Sequence, residues 1–66
     1  MEKEDKIINY NGERYIIVNS ITYMGQKYIF VINYNNMYDV KLLICLNDLE
    51  EVNDIEMIRN VITQMV

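Results

Sequence analysis

Lys6-Ile7-Ile8-Asn9-Tyr10-Asn11-Gly12-Glu13-Arg14-Tyr15-Ile16-Ile17-Val18 reads as a β-hairpin, and the rest of the fold follows from it. Both flanks are rich in β-branched and aromatic residues, which suit a pleated, half-buried surface. Between them Asn11-Gly12 supplies the two positive-φ positions of a type I′ turn, whose twist matches that of the paired strands. The same texture continues to Leu46, punctuated at short intervals. A second turn is expected at Met24-Gly25-Gln26, between Ile21-Thr22-Tyr23 and Lys27-Tyr28-Ile29-Phe30-Val31-Ile32. A third is expected at Asn35-Asn36, before Tyr38-Asp39-Val40-Lys41-Leu42-Leu43-Ile44. Short loops between successive strands imply an antiparallel meander of four strands.

The second strand is long, roughly Glu13 to Tyr23, and Asn19-Ser20 interrupts its apolar run, so a bulge or bend is expected there. Simple alternation places Tyr15, Ile17, Ile21 and Tyr23 on one face, with Ile16 and Val18 on the other. Tyr28, Phe30, Ile32 and Tyr34 oppose Ile29 and Val31 in the third strand; Val40, Leu42 and Ile44 oppose Lys41, Leu43 and Cys45 in the fourth. Beyond the meander, Asn53 or Asp54 caps a C-terminal helix, and Asn53 with Glu56 approximates a capping box. Ile55, Ile58, Val61, Ile62, Met65 and Val66 fall on one side of that helix. Leu49-Glu50-Glu51-Val52 either adds a short fifth strand, the favoured reading, or extends the helix backward. The fold class is α+β: a four-stranded antiparallel meander, with this short fifth strand, and one C-terminal helix on one face. One helix covers one face, and the other, also apolar, is expected to want a partner.

At 66 residues the chain holds a single domain, 1–66, with 1–5 expected as a disordered tail. A chain this short buries only about 60% of its unfolded surface, so its stability is marginal. With one cysteine and no histidine, neither an internal disulfide nor a zinc site of the usual type is available, which leaves self-association as a homodimer, a complex with another protein, or very good packing. No apolar run approaches 18 residues, and the first six residues lack the features of a signal peptide. A soluble, cytoplasmic protein with no membrane association is expected. Abundant Ile and Asn beside no Ala, Pro, Trp or His suggest an AT-rich coding sequence, as in a low-GC bacterium or its phage.

The charge is segregated. Acids and bases balance up to Ile44, whereas residues 45–66 hold five acids against Arg59 alone and so carry the whole net charge of −4. Asp48, Glu50, Glu51, Asp54 and Glu56 suit a basic partner; acids near a helix start equally complement its dipole. Their spacing does not match a calcium loop. Cys45 has no histidine to activate it and reads as a structural thiol, so the chain is expected to be no enzyme and to bind no cofactor or metal. Six tyrosines lie in the sheet region, a residue enriched at interfaces. Tyr34 and Tyr38, flanking the third turn, join the five acids as expected partner-binding residues.

Gly25-Gln26-Lys27-Tyr28-Ile29-Phe30-Val31, and later Leu49-Glu50-Glu51-Val52-Asn53-Asp54 leading into the helix, resemble the YrzB-like proteins, short acidic proteins of low-GC bacteria. That resemblance implies an antiparallel sheet followed by a helix, and brings no activity or functional residues with it. The function expected is a small non-enzymatic interaction module, in the manner of phage- or mobile-element-encoded inhibitors that bind a basic, nucleic-acid-handling protein through an acidic corner. The alternatives are a dimeric sheet stacking single-stranded nucleic acid on exposed tyrosines, disfavoured by the acidic balance, and a structural domain.

Overall fold

A computed structural model describes residues 6–65; the expected tail at 1–5 and the helix position Val66 lie outside them. Five strands are followed by one helix: β1 (Lys6–Tyr10), β2 (Glu13–Tyr23), β3 (Gln26–Asn33), β4 (Val40–Cys45), β5 (Leu49–Glu51) and α1 (Ile55–Met65). The strands form one antiparallel sheet in sequence order, the α+β meander with its short fifth strand. No helix among the described residues is long and apolar enough to cross a membrane.

Both hairpin turns are two residues long. Asn11 and Gly12 have φ of 57° and 81° between the paired Tyr10 and Glu13. Met24 and Gly25 have nearly the same angles, 55° and 81°, between the paired Tyr23 and Gln26, so the second turn is shorter than the sequence suggested. Gly25 makes that tight turn possible, and Met24 occupies a left-handed conformation that L side chains rarely adopt.

β2 does not alternate simply. Ile17 pairs with Val31 and Asn19 with Phe30, so Val18 is an extra, unpaired residue. The bulge lies one residue earlier than Asn19-Ser20 and inverts the remainder of the strand. Tyr15 and Ile17 therefore pack with Ile29, Val31 and Leu43 on one face of the sheet. Ile21 and Tyr23 pack with Tyr28, Phe30 and Leu42 on the other, under Met57, Ile58, Val61 and Met65 of the helix. One strand contributes to two cores.

The face opposite the helix is not bare, which corrects the expectation of an open second face. Tyr15, Ile29, Val31 and Leu43 are buried there, at 3% exposure or less. Ile8 and Tyr10 from β1 and Leu49 from β5 pack on this same cluster. Each of these packs beside its strand neighbours, Ile8 opposite Tyr15 and Leu49 opposite Cys45, so the cluster is buried, with no helix over it, by the side chains on the concave face of a twisted and curved sheet.

The helix starts at an Asp54 cap. The backbone N–H of Glu56 donates to Asp54 Oδ1 at 3.0 Å, and that of Ile58 to the Asp54 carbonyl at 2.9 Å. Asp54, rather than Asn53 in a capping box, satisfies the free donors of the first turn. Ile55, expected on the apolar side, is 69% exposed, and Met57 takes its place against the sheet, where Tyr28 Oη donates weakly to Met57 Sδ at 3.9 Å.

Candidate protein-interaction site

The loop between β3 and β4, residues 34–39, is built around one side chain. Asn33 ends β3 and is 3% exposed. Its Oδ1 accepts from the backbone N–H of Asn35 at 2.8 Å and of Asn36 at 3.1 Å, an Asx-type closure that the peptide backbone alone would not provide. Its Nδ2 donates to Asp39 Oδ2 at 3.1 Å and to Glu13 Oε1. Donors and acceptors are matched, which fixes the amide orientation. Backbone bonds complete the loop: the Asn33 N–H donates to the Asp39 carbonyl, the Asp39 N–H to the Asn36 carbonyl, and the Tyr34 N–H to the Arg14 carbonyl, each at 2.9 Å. These bonds delay the start of β4 to Val40, two residues later than the sequence suggested.

Asp39 joins the loop to the concave core. Tyr15 Oη donates to Asp39 Oδ2 at 2.9 Å, and Lys41 Nζ donates to Oδ1 at 3.1 Å while lying 5.8 Å from the centre of the Tyr15 ring. The Lys41 ammonium, followed by the Tyr15 hydroxyl, holds the Asp39 carboxyl below the usual carboxylate range. Burial, followed by the bond to Asp39, pushes the Tyr15 hydroxyl up; Asp39 in turn raises Lys41. The Tyr15 ring meets Tyr10 edge-on at 6.1 Å, so the same side chain anchors the polar scaffold and the apolar core.

What this scaffold presents is apolar. Tyr34 is 52% exposed, Met37 75% and Tyr38 94%. The Arg14 guanidinium lies 5.9 Å from the centre of the Tyr34 ring, and the Tyr38 N–H donates to Asn36 Oδ1 at 3.1 Å. Three large adaptable side chains thus stand in solvent on a loop whose backbone is fixed from below.

The five acids do not form one compact corner. Asp48 lies in the turn before β5, at the end of the sheet away from the β3–β4 loop. Glu50 and Glu51 occupy β5 itself, an edge strand, and alternation sends them to opposite faces. Glu51 pairs with Leu43 and lies near Lys41, whose ammonium its charge favours. Asp54 and Glu56 sit at the helix start, beyond Val52, whose N–H donates to the Leu42 carbonyl at 2.8 Å. About 13 Å of extended chain separates Asp48 from Val52, more than the roughly 8–10 Å over which salt leaves exposed charges coupled. The arrangement is an acidic rim along one edge, and charge on an edge strand also discourages edge-to-edge pairing.

The tyrosines divide likewise. Tyr15 and Tyr28 are buried, and Tyr10 and Tyr23 half-buried, so no tyrosine within a strand is exposed. Tyr34 and Tyr38 alone are exposed, on the loop. Cys45 is free and half-buried beside the concave core. Among the described residues no three His, Cys, Asp or Glu side chains are grouped to hold a metal ion.

Sequence reasoning placed Tyr34 and Tyr38 at a contact surface but missed Asn33, Asp39 and Met37. Asn33 shows a legible signal in retrospect: an Asn at a strand end before an Asn-rich segment is the signature of a side-chain-closed turn. Its bonds to Glu13 and Asp39, 20 and 6 positions away, have no such signature. Searches against family models, curated proteins and solved structures gave no match, so geometry alone carries the reading of this site.

Proposed function

We propose that this chain is a non-enzymatic, cytoplasmic binding module that engages a basic protein through its β3–β4 loop. The observation that carries the reading is the loop's construction. Tyr34, Met37 and Tyr38 are exposed while the buried Asn33 side chain makes four hydrogen bonds, two to the loop backbone at Asn35 and Asn36 and two to the side chains of Glu13 and Asp39. Ordering a mobile side chain or loop on binding costs about 0.5–1.5 kcal/mol per residue, and a loop fixed in advance avoids much of that cost. Tyrosine and methionine are enriched at contact surfaces because they bring large area with adaptable or amphipathic character.

The partner's sign comes from the rim. All the net charge of −4 lies in residues 45–66, in and around β5 and at the helix start, so a positively charged partner is drawn in and a negatively charged one repelled. A protein that handles nucleic acid has such a surface, and occupying it would block or adapt its activity. The YrzB-like likeness belongs to this reading as a statement of fold. Self-association into a homodimer also belongs to it.

Affinity capture from source-cell extract with wild type, Tyr38→Ala and a Glu50→Gln/Glu51→Gln/Glu56→Gln variant provides the test. The expected result is a basic protein retained by wild type, lost with Tyr38→Ala, and released at lower salt by the neutralised variant. Identical retention by all three proteins would overturn the assignment of this surface.

A further inference from the structure

The bulge in β2 shapes a cleft on the face of the sheet that carries no helix. Directly paired residues share a face, so the register puts Lys6 on the side of Ile17, Ser20 on that of Ile29, and Lys27 on that of Cys45. Ile17, Ile29 and Cys45 belong to the concave cluster, so both lysines and Ser20 stand on that face. Val18, without a partner on β3, bends the strand between them. The Ser20 N–H donates to Asn19 Oδ1 at 2.8 Å, which closes the bulge with a side chain. The result is an open cleft of about 300 Å³, with Lys6, Val18, Ser20 and Lys27 around Ile17 and Ile29.

Its charge is opposite to that of the chain as a whole, which is −4. Of the three lysines among the described residues, Lys41 is paired with Asp39 at 3.1 Å. The other two line this cleft, and neither has a carboxylate of the described residues at ion-pair distance. Asp48 and Glu51 lie two strands from Lys27 and three from Ser20, about 10–14 Å, at or beyond the roughly 8–10 Å over which salt leaves exposed charges coupled. Two ammonium groups sharing a cleft repel one another, and an anion between them removes that cost. Ser20 is roughly 8–10 Å from either lysine by Cα, within reach of both flexible stems.

We propose that this cleft binds a small phosphate monoester with an apolar body. The dianionic head lies between Lys6 and Lys27, where the Ser20 hydroxyl donates to it; two cations match two negative charges, and lysine holds phosphate as a point charge. The body rests on Ile17, Val18 and Ile29. A volume near the lower end of ligand pockets, about 300 Å³, limits that body to about one ring. The site is separate from the β3–β4 loop and makes no use of the partner-binding reading.

Titration of the full chain with phenyl phosphate, followed by heteronuclear amide NMR, decides the matter. Saturable shifts should centre on residues 17–20 and 27–29, with a low-millimolar Kd. Inorganic phosphate should bind several-fold more weakly, and uncharged phenol should not saturate. Lys6→Met and Lys27→Met keep an apolar stem without the charge, and each should weaken binding about fivefold, the value of one exposed ion pair. Lys6→Arg and Lys27→Arg should retain it. Arg59→Met removes an exposed cation from the helix and should leave binding unchanged. All these positions are exposed, and circular dichroism verifies that each variant folds. Shifts that never saturate, or that centre on other residues, overturn the site. So do lysine variants that bind like wild type, or an Arg59→Met loss as large as theirs, which would reflect overall charge alone. Phenol or inorganic phosphate binding as tightly as phenyl phosphate overturns the assignment of a head and a body.

Discussion

Replacing Asn33 with Ala should cost about 3 kcal/mol of stability. Two of the four bonds lost join the amide nitrogen to the carboxylates of Glu13 and Asp39, and two join Oδ1 to the backbone of Asn35 and Asn36. A net contribution of about 1 kcal/mol applies to neutral bonds and somewhat more to those with carboxylates. Asn35 and Asn36 are exposed, so water recovers part of what their N–H groups lose, and the total settles near 3 rather than 5. A domain of this size has roughly 3–10 kcal/mol in all, so the variant lies near the edge of folding. The expected fall in Tm is about 12–24 °C, at roughly 4–8 °C per kcal/mol for small domains. Urea unfolding followed by circular dichroism measures it, with an unchanged slope indicating that the variant still folds as one unit. Asn33→Asp provides the control. It keeps the Oδ1 acceptor but sets a third carboxylate beside Glu13 and Asp39, so it should be at least as damaging as Ala at neutral pH and should recover relative to Ala below about pH 4, where carboxylates protonate. A loss under about 1 kcal/mol for Asn33→Ala would mean that the loop is held by something else.

Three further outcomes follow from the same structure. Asp39 is held below the usual carboxylate range by Lys41 and Tyr15, so its stabilising effect is present above about pH 4 and is lost as pH falls through its depressed value. Tyr15 and Lys41 are both raised, so their contribution is present up to about pH 10 and is lost above it; a pH series of melts should show a plateau between these limits, with the alkaline fall reduced in Tyr15→Phe. Met24 has φ 55° in an exposed two-residue turn, and Met24→Asn should stabilise by about 1 kcal/mol, read as a Tm increase of roughly 4–8 °C, since Asn tolerates that conformation far better. Tyr38→Ala should leave the melting curve within about 0.5 kcal/mol of wild type, while weakening partner binding by about 2 kcal/mol, or roughly thirtyfold, by calorimetry on the purified complex.

Local chemistry was legible in the sequence wherever the cause was itself local. Asn11-Gly12 fixed the first hairpin, β-branched runs marked the strands, and the apolar period with an acidic cap marked the helix. The errors came where the cause lay elsewhere in the chain. Val18 looks like any other strand residue, and only its lack of a partner on β3 makes it a bulge. The curvature that buries the concave face depends on twist accumulated over five strands, which no window of residues displays. The acids, adjacent in sequence, were separated by the length and alternation of β5. Of the expected contact residues, Tyr34 and Tyr38 are the most exposed tyrosines because their loop hangs from Asn33, a dependence the composition conceals.

The unpaired residue in β2 sets a rule of parity. Tyr15 and Ile17 serve one core and Ile21 and Tyr23 the other only because Val18 drops out of the alternation. Deleting Val18 would leave Ile17 opposite Val31 and Asn19 opposite Phe30 in unbroken alternation, so both cores would keep their residues and only the local kink would go. Loss of a second residue between Ile17 and Ile21 has no such reserve and would turn one half of the strand to the wrong side. Descent in this lineage should therefore tolerate a β2 one residue shorter but not one two residues shorter, a length rule by which distant kin can be recognised.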